Sequence, residues 1–206
     1  SFEWRHKILA AIRALEGGIS FSGIVEADEL LMKYSEKGRK FKNKEEYQKA
    51  KKKKHPKVAI LVVTDREGNL LFKQVGEKKV KNEQLREELK SRLSENNLIC
   101  VKPKKEFRKG VKGLQSKKVI VNKKQIKRGI YSVKIVESKI SDFKTWLSRF
   151  HGVATKYLQS YLMWFVIMNK YLKELIDPDI GRLLNLSSHD RWAWDKYREI
   201  VSQRYE

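Results

Sequence analysis

The chain has 206 residues, 47 of them Lys or Arg against 25 Asp or Glu, for a formal net charge of +22. That length allows one large domain with a substantial core, and 40% hydrophobic with 10% aromatic residues excludes a wholly disordered basic tail. Its lone cysteine, Cys100, excludes a disulfide scaffold or a cysteine-based zinc cluster within the chain, and the longest apolar run, Leu162 to Met168, falls far short of the ~20 residues that span a bilayer.

Taken in chain order, Phe2, Trp4, Ile8, Leu9, Ile12 and Leu15 recur at helical spacing, and Gly17-Gly18 stops the pattern. This amphipathic, mixed-charge start is not the pattern of a secretory signal. Ile19 to Met32 reads as a strand that runs into the acids Glu26, Asp28 and Glu29. Lys33 to Lys57 reads as a long basic connection. Val58 to Thr64 is a continuous β-branched run, the signature of a strand buried on both faces. Turn chemistry at Asp65 to Asn69 then predicts a hairpin returning through Leu70 to Val75.

Leu85, Leu89 and Leu93 recur every four residues, so Lys81 to Ser94 is a surface helix with one apolar stripe. Leu98 to Val101 is a short buried strand, and Lys117 to Val121 and Ile130 to Val136 are further strands. From Glu137 the pattern turns helical, with Ile140, Phe143, Trp146, Leu147 and Phe150 on one face, and Gly152 ends it. Val153 to Ile176 is a strongly apolar helix broken by Pro178, and His189 to Tyr205 is a last, aromatic helix. The alternation predicts an α/β domain with a mixed sheet and a helical C-terminal cap.

The charge is segregated. Lys33 to Lys57 holds 12 basic and 3 acidic residues, and Lys102 to Lys134 holds 13 basic and 1 acidic. Those two segments carry +21 of the +22, leaving the rest nearly neutral. A single charge run is usually a solvated face. Two runs that absorb the whole imbalance point to nucleic acid. Neither alternates with an apolar helical face, which argues against a membrane partner.

Asp28 carries the chemical interest, because a carboxylate in mid-strand is costly to bury. Plain alternation would turn Glu26 and Asp28 to one face, toward solvent or a lysine of the adjacent insert. A metal site is the other reading, since hard Mg²⁺ takes carboxylate oxygens from different elements; Glu137, opening a helix, is a candidate second ligand. His6, His55, His151 and His189 have no metal-ligand spacing, and no phosphate-binding Gly-rich loop or nucleophile elbow occurs. Cys100 in a core strand reads as an inert thiol. Tyr157, Tyr161, Trp164, Phe165 and Tyr171 form an aromatic stripe better suited to core packing or a protein interface than to base stacking. Trp192 and Trp194 could anchor a partner or cap the core.

Three stretches are similar to bacterial insertion-sequence transposases of the ISXO-like, Merlin-related type. They are Ser1-Phe-Glu-Trp-Arg-His-Lys-Ile-Leu-Ala-Ala-Ile, Val25-Glu-Ala-Asp-Glu, and Lys144-Thr-Trp-Leu-Ser-Arg-Phe-His-Gly-Val-Ala-Thr-Lys-Tyr-Leu-Gln-Ser-Tyr-Leu. The likeness runs from about Ser1 to Tyr171, and the third stretch is close to a family signature. It implies an RNase H-like mixed five-stranded sheet flanked by helices, with two Mg²⁺ held by an Asp, Asp, Glu/Asn triad. A zinc ribbon and helix-turn-helix precede that core in the family; this chain begins near the end of the latter.

Carried over by position, the resemblance makes Asp28 the first catalytic and metal-binding aspartate, Glu137 the third acid, and Lys144 the lysine one helical face beyond it. The second aspartate should end Leu98-Ile-Cys-Val, where Lys102 stands instead, and Ser132 replaces a family histidine. A two-metal site needs that aspartate to bridge its ions, whereas an ammonium there could occupy a cation's place. Asp65 and Glu106 are poor substitutes by position. The expected function is therefore a transposase-derived DNA-binding protein whose cutting and joining activity is lost, with an active Mg²⁺-dependent transposase or a protein-interaction module as alternatives.

The expected division is a remnant helix at 1–20, a core at 21–152 with a basic insert at 33–57, and a helical region at 153–206. DNA contacts are expected from Lys37, Arg39, Lys40, Lys51, Lys52, Lys53 and Lys54 in the first basic segment. In the second they are expected from Lys104, Lys105, Arg108, Lys109, Lys123, Lys124 and Arg128. The partner is DNA, with a homo-oligomer or protein partner through the C-terminal helices, and the location is cytoplasmic.

Overall fold

The computed structural model describes residues 2–12, 18–122, 127–171, 195 and 198–200. The uniformly apolar run at 58–65 forms β2 (Val58–Asp65), every residue of which is buried. It is the antiparallel neighbour of both β1 (Ile24–Met32) and β3 (Leu70–Glu77). Beyond β1, β4 (Leu98–Val101) and then β5 (Lys117–Ile120) add in parallel. The strand order is β3-β2-β1-β4-β5. This mixed sheet with one reversed strand is the RNase H-like arrangement that the resemblance implies.

Side-chain alternation divides the core between the two faces of the sheet. Val25, Ala27, Leu61, Val63, Ile99 and Val101 meet α3 (Asn82–Lys90) and α4 (Lys105–Lys112) through Leu85, Leu89 and Phe107. Ile60, Val62, Phe72 and Cys100 meet α1 (Phe2–Ile12), α5 (Lys134–Ser148) and α6 (Thr155–Tyr171). Phe72, Phe143 and Phe165 close this second layer, with ring centroids 5.0 to 5.6 Å apart. Most of the aromatic stripe on α6 is thus core: Tyr161 and Phe165 are each 4% exposed. The Tyr171 side chain and the final aromatic helix with Trp192 and Trp194 lie outside the described residues.

Two helices stand inside the basic segments where sequence periodicity indicates only connections. In the first, α2 (Lys44–Lys52) buries no residue, so it has no apolar stripe to detect. Asn43 caps it by accepting from the Glu46 amide at 2.8 Å, with Glu45 and Glu46 in the first turn and lysines in the last. In the second, α4 buries Phe107, Gly110 and Val111 and turns Lys105, Arg108, Lys109 and Lys112 outward. Gly110 sits so close to α3 that an added Cβ would meet a Leu85 methyl carbon at 2.9 Å.

The expected strand over Ile130 to Val136 is a correction. Only Tyr131–Ser132 is extended, as β7, and it pairs with β6 (Lys127–Arg128) outside the main sheet. Helix α5 takes over at Lys134, so Glu137 lies in its first turn rather than at its opening.

Candidate functional site

Register positions the acids. Ala27 on β1 is level with Val101 on β4, so Asp28 and Lys102 are neighbours at the strand's end. Glu26, Asp28 and Leu30 share the sheet face toward α5, by alternation. Glu26 is 1% exposed and Asp28 4%. Each must therefore be satisfied from within.

Glu26 is satisfied by the start of α5. Its Oε2 accepts from the amides of Ile135 at 2.9 Å and Val136 at 3.1 Å, while the Ser132 hydroxyl donates to Oε1 at 2.7 Å. A strand carboxylate thereby caps the helix whose first turn carries Glu137. Its charge also complements the positive helix end. Sequence reading places Glu26 beside Asp28 without this role; the available signal was the shared face together with the missing cap at Val133.

Asp28 is satisfied by lysines. Lys102 Nζ donates to its Oδ2 at 2.6 Å and Lys104 Nζ to its Oδ1 at 3.0 Å, with the Glu29 amide also donating to Oδ1 at 2.8 Å. The same Lys102 ammonium lies 2.5 Å from Glu137 Oε1. Lys104 continues to Glu29 Oε1 at 2.9 Å. The lysines that meet Asp28 thus follow β4 and do not come from the insert at 33–57. Burial alone would raise the Asp28 carboxyl; the Lys102 hydrogen bond and the Lys104 charge outweigh it and hold the group below its ordinary value. Desolvation opposes the charge on Lys102 and Lys104, but their carboxylate partners prevail and raise both above the usual lysine value.

The donor set does not fit a pair of divalent cations. An ammonium stands between the two carboxylates that resemblance assigns to metal, at the position of the bridging acid. Other acids are committed elsewhere. Asp65, level with Val25 at the other end of β1, accepts from Ser22 and Asn69, and Glu106 pairs with Lys79. Among the described residues, no three His, Cys, Asp or Glu side chains are grouped to hold a metal ion. Lys144 is exposed two turns beyond Glu137. Cys100 is buried, and burial with the nearby Glu26 charge pushes its thiol up to about 11, so it is unreactive.

Among the expected DNA contacts, three have structural work within the fold. Lys37 Nζ donates to the carbonyls of Phe150, His151 and Gly152 at 2.9 to 3.1 Å, fastening the turn that follows α5. Arg39 bridges Glu36 at 2.9 Å and Glu46 at 3.1 Å. Lys104 belongs to the Asp28 cluster. Lys40, Lys51, Lys52, Lys53, Lys54, Lys105, Arg108 and Lys109 have exposed side chains. The edge strand β5 adds exposed Lys117 and Lys118. Lys123 and Lys124 lie outside the described residues, as does the side chain of Arg128.

A mixed sheet of this strand order, with acids on its first strand and on the helix after its last, is the RNase H-like class of fold. Within that class, the chain belongs to the ISXO2-like transposase domain family, whose model matches residues 20–167. No curated protein matches it. A solved structure it resembles is the crystal structure of a pre-cleavage Mos1 transpososome, at 10% identity and a TM-score of 0.37, covering 98% of this chain and 64% of that one. The chain therefore spans less than two thirds of that relative's length. Among the described residues, no helix is long and apolar enough to cross a membrane.

Proposed function

We propose that this transposase-family domain binds DNA through its phosphates and has lost the chemistry of cutting and joining strands. The observation that carries the second half is Lys102, whose ammonium bridges Asp28 at 2.6 Å and Glu137 at 2.5 Å. A permanent cation supplied by the chain pairs with both carboxylates that the family's resemblance assigns to metal. It brings no bound water to activate and no open coordination position. The pair is held together, and divalent-cation entry would require breaking it.

DNA binding is supported by charge placement. Lys105, Arg108 and Lys109 line the outer face of α4, and Lys51 to Lys54 run through the last turn of α2 and just past it, so exposed cations are concentrated on two local elements. Phosphate contacts of this kind give affinity and register but little base reading. Fluorescence anisotropy with two duplexes of unrelated sequence, at several salt concentrations, tests it. Near-equal affinities that fall steeply with salt support phosphate binding. An affinity independent of salt removes it.

A further inference from the structure

The first basic segment leaves the sheet at the end of β1 and returns to it at the start of β2, and one histidine joins its two ends. His55, just before β2, lays its imidazole on the Tyr34 ring, with centroids 4.4 Å apart and planes 19° from parallel. Its Nε2 stands 3.5 Å from Oε1 of Glu36, whose side chain is 12% exposed. The two Glu36 oxygens differ. Oε2 accepts from Arg39 at 2.9 Å, whereas Oε1 is shielded from solvent and accepts no hydrogen bond among the described residues. From Arg39 the contacts run on into α2. Arg39 reaches Glu46 Oε1 at 3.1 Å, Glu46 Oε2 accepts from the Lys42 amide at 2.8 Å, and the Glu46 amide donates to Asn43, the cap of α2. Because α2 buries no residue, this network and an edge-on contact of Phe41 with Tyr47 at 5.3 Å take the place of a core.

A shielded carboxylate oxygen without a donor is costly. Histidine is the side chain that ordinarily changes charge between pH 5 and 8. A neutral imidazole has one N–H, which either nitrogen can hold, whereas the cation carries an N–H at Nε2 as well as at Nδ1. Protonation therefore aims a donor at the one Glu36 oxygen that has none. Tyr34 faces one side of the ring and Glu36 faces Nε2, with Arg39 and Glu46 behind Glu36. Lys53, Lys54 and Lys57 are the basic neighbours along the chain, and their side chains are exposed, so water screens their charge more than it screens the enclosed oxygen.

We infer that His55 is a proton-operated clasp on the first basic segment. In mild acid its imidazolium donates to Glu36 Oε1 and fastens the two ends of the segment together. Through Arg39 and Glu46 it then holds α2, with the exposed lysines at 51–54, in one arrangement for DNA phosphates. A surface ordered in advance loses less freedom on binding, so its apparent affinity is higher. The added proton also gives the segment one more positive charge. The clasp rests on the DNA-binding reading and adds its regulation.

The test has two arms, both on the full chain at about pH 5.5 and about pH 7.5. Amide hydrogen exchange, corrected for the intrinsic rate at each pH, reads the clasp through the amides of α2 and the Arg39 amide, which turns back onto the Glu36 carbonyl at 2.9 Å. Fluorescence anisotropy with one duplex at fixed salt reads the grip on DNA. In the parent, protection should be about tenfold greater at the lower pH, the value of one charge-assisted hydrogen bond. DNA affinity should rise about threefold over the same interval. His55→Gln should flatten both responses, and so should Glu36→Gln, which keeps an acceptor for Arg39. His55→Arg keeps a flat cation on Tyr34 and should show the low-pH behaviour at both pH values. Protection in the parent that is equal at the two pH values, or that rises equally in His55→Gln, overturns the clasp and leaves the DNA-binding reading intact. Protection that rises while affinity stays level overturns the clasp's role in DNA binding. Failure of the duplex to bind at either pH overturns the DNA-binding reading and that role together, while the exchange arm still decides the clasp.

Discussion

The Lys102 ammonium joins Asp28 Oδ2 at 2.6 Å and Glu137 Oε1 at 2.5 Å, linking β1 to the first turn of α5 through one side chain. Asp28 is nearly buried, so removing a partner leaves a charge with fewer donors. Lys102→Met should destabilise the fold by about 1–3 kcal/mol, below the full cost of breaking a buried pair because Lys104 remains. Asp28→Asn combined with Lys102→Met should cost less than the two single changes added together. Urea denaturation of the four proteins provides the cycle, and strict additivity would deny the coupling.

Reversing that one charge should create what the parent lacks. Lys102→Asp sets three carboxylates together, and their repulsion should lower the melting temperature in the presence of chelator. Mn²⁺ should then stabilise the variant, by about 2–3 kcal/mol at a hundredfold excess over its dissociation constant, and leave the parent unchanged. Thermal melts with and without Mn²⁺ decide it. Equal shifts in both proteins would show that Lys102 does not control cation entry.

The cluster also fixes a pH window. Asp28 is held below its ordinary 3.8, so its contribution is complete above that value and lost as pH falls through the lower folded value. Lys102 and Lys104 are raised above 10.5, so theirs is complete below it and lost as pH rises through the folded values. Stability from this cluster should be flat between those limits. A slope in the difference between parent and Asp28→Asn at pH 5–9 would contradict it.

His6 acts in a different window. Its folded value is lowered from 6.5 to about 4, so the unfolded chain binds a proton that the folded one refuses between those values. Stability should fall by about 3 kcal/mol as pH drops from 6.5 to 4, and His6→Phe should flatten that decline. Denaturation midpoints across this range measure it, and an unchanged slope in the variant would assign the decline to other groups.

Glu26 holds α5 in position. Glu26→Gln keeps hydrogen-bonding groups for Ile135, Val136 and Ser132 but removes the charge at the helix end, a loss of about 1 kcal/mol. Glu26→Ala leaves two amides without an acceptor and should cost about 3 kcal/mol. Equal stabilities for the two variants, measured by urea midpoints, would mean that the acceptor contributes nothing, and a Glu26→Gln variant as stable as the parent would mean the same of the charge.

Elements with an apolar pattern are legible in the sequence. β2 reads from its continuous Val and Ile content, α3 from its leucine spacing, and α5 from Ile140, Phe143 and Leu147. Helix α2 was not, because it buries nothing and is held by Asn43 and local charge. Helix α4 was hidden because Phe107, Gly110 and Val111 lie among lysines whose charge dominates the composition. In the site, Asp28 and Lys102 follow from strand alternation and the family's motif order. Glu26 as a helix cap, Lys104 as a second partner and Lys37 as the fastener of the α5–α6 turn depend on contacts between distant segments, and no local spacing encodes them.

The +22 of the chain and the Lys102 bridge meet in one assay: supercoiled plasmid incubated with the protein and Mg²⁺, beside Asp28→Asn. The result expected here is a mobility shift that salt reverses, with the plasmid recovered intact and no difference between the two proteins in strand breaks. Mg²⁺-dependent nicking by the parent that disappears in Asp28→Asn would contradict the proposed loss of cutting activity.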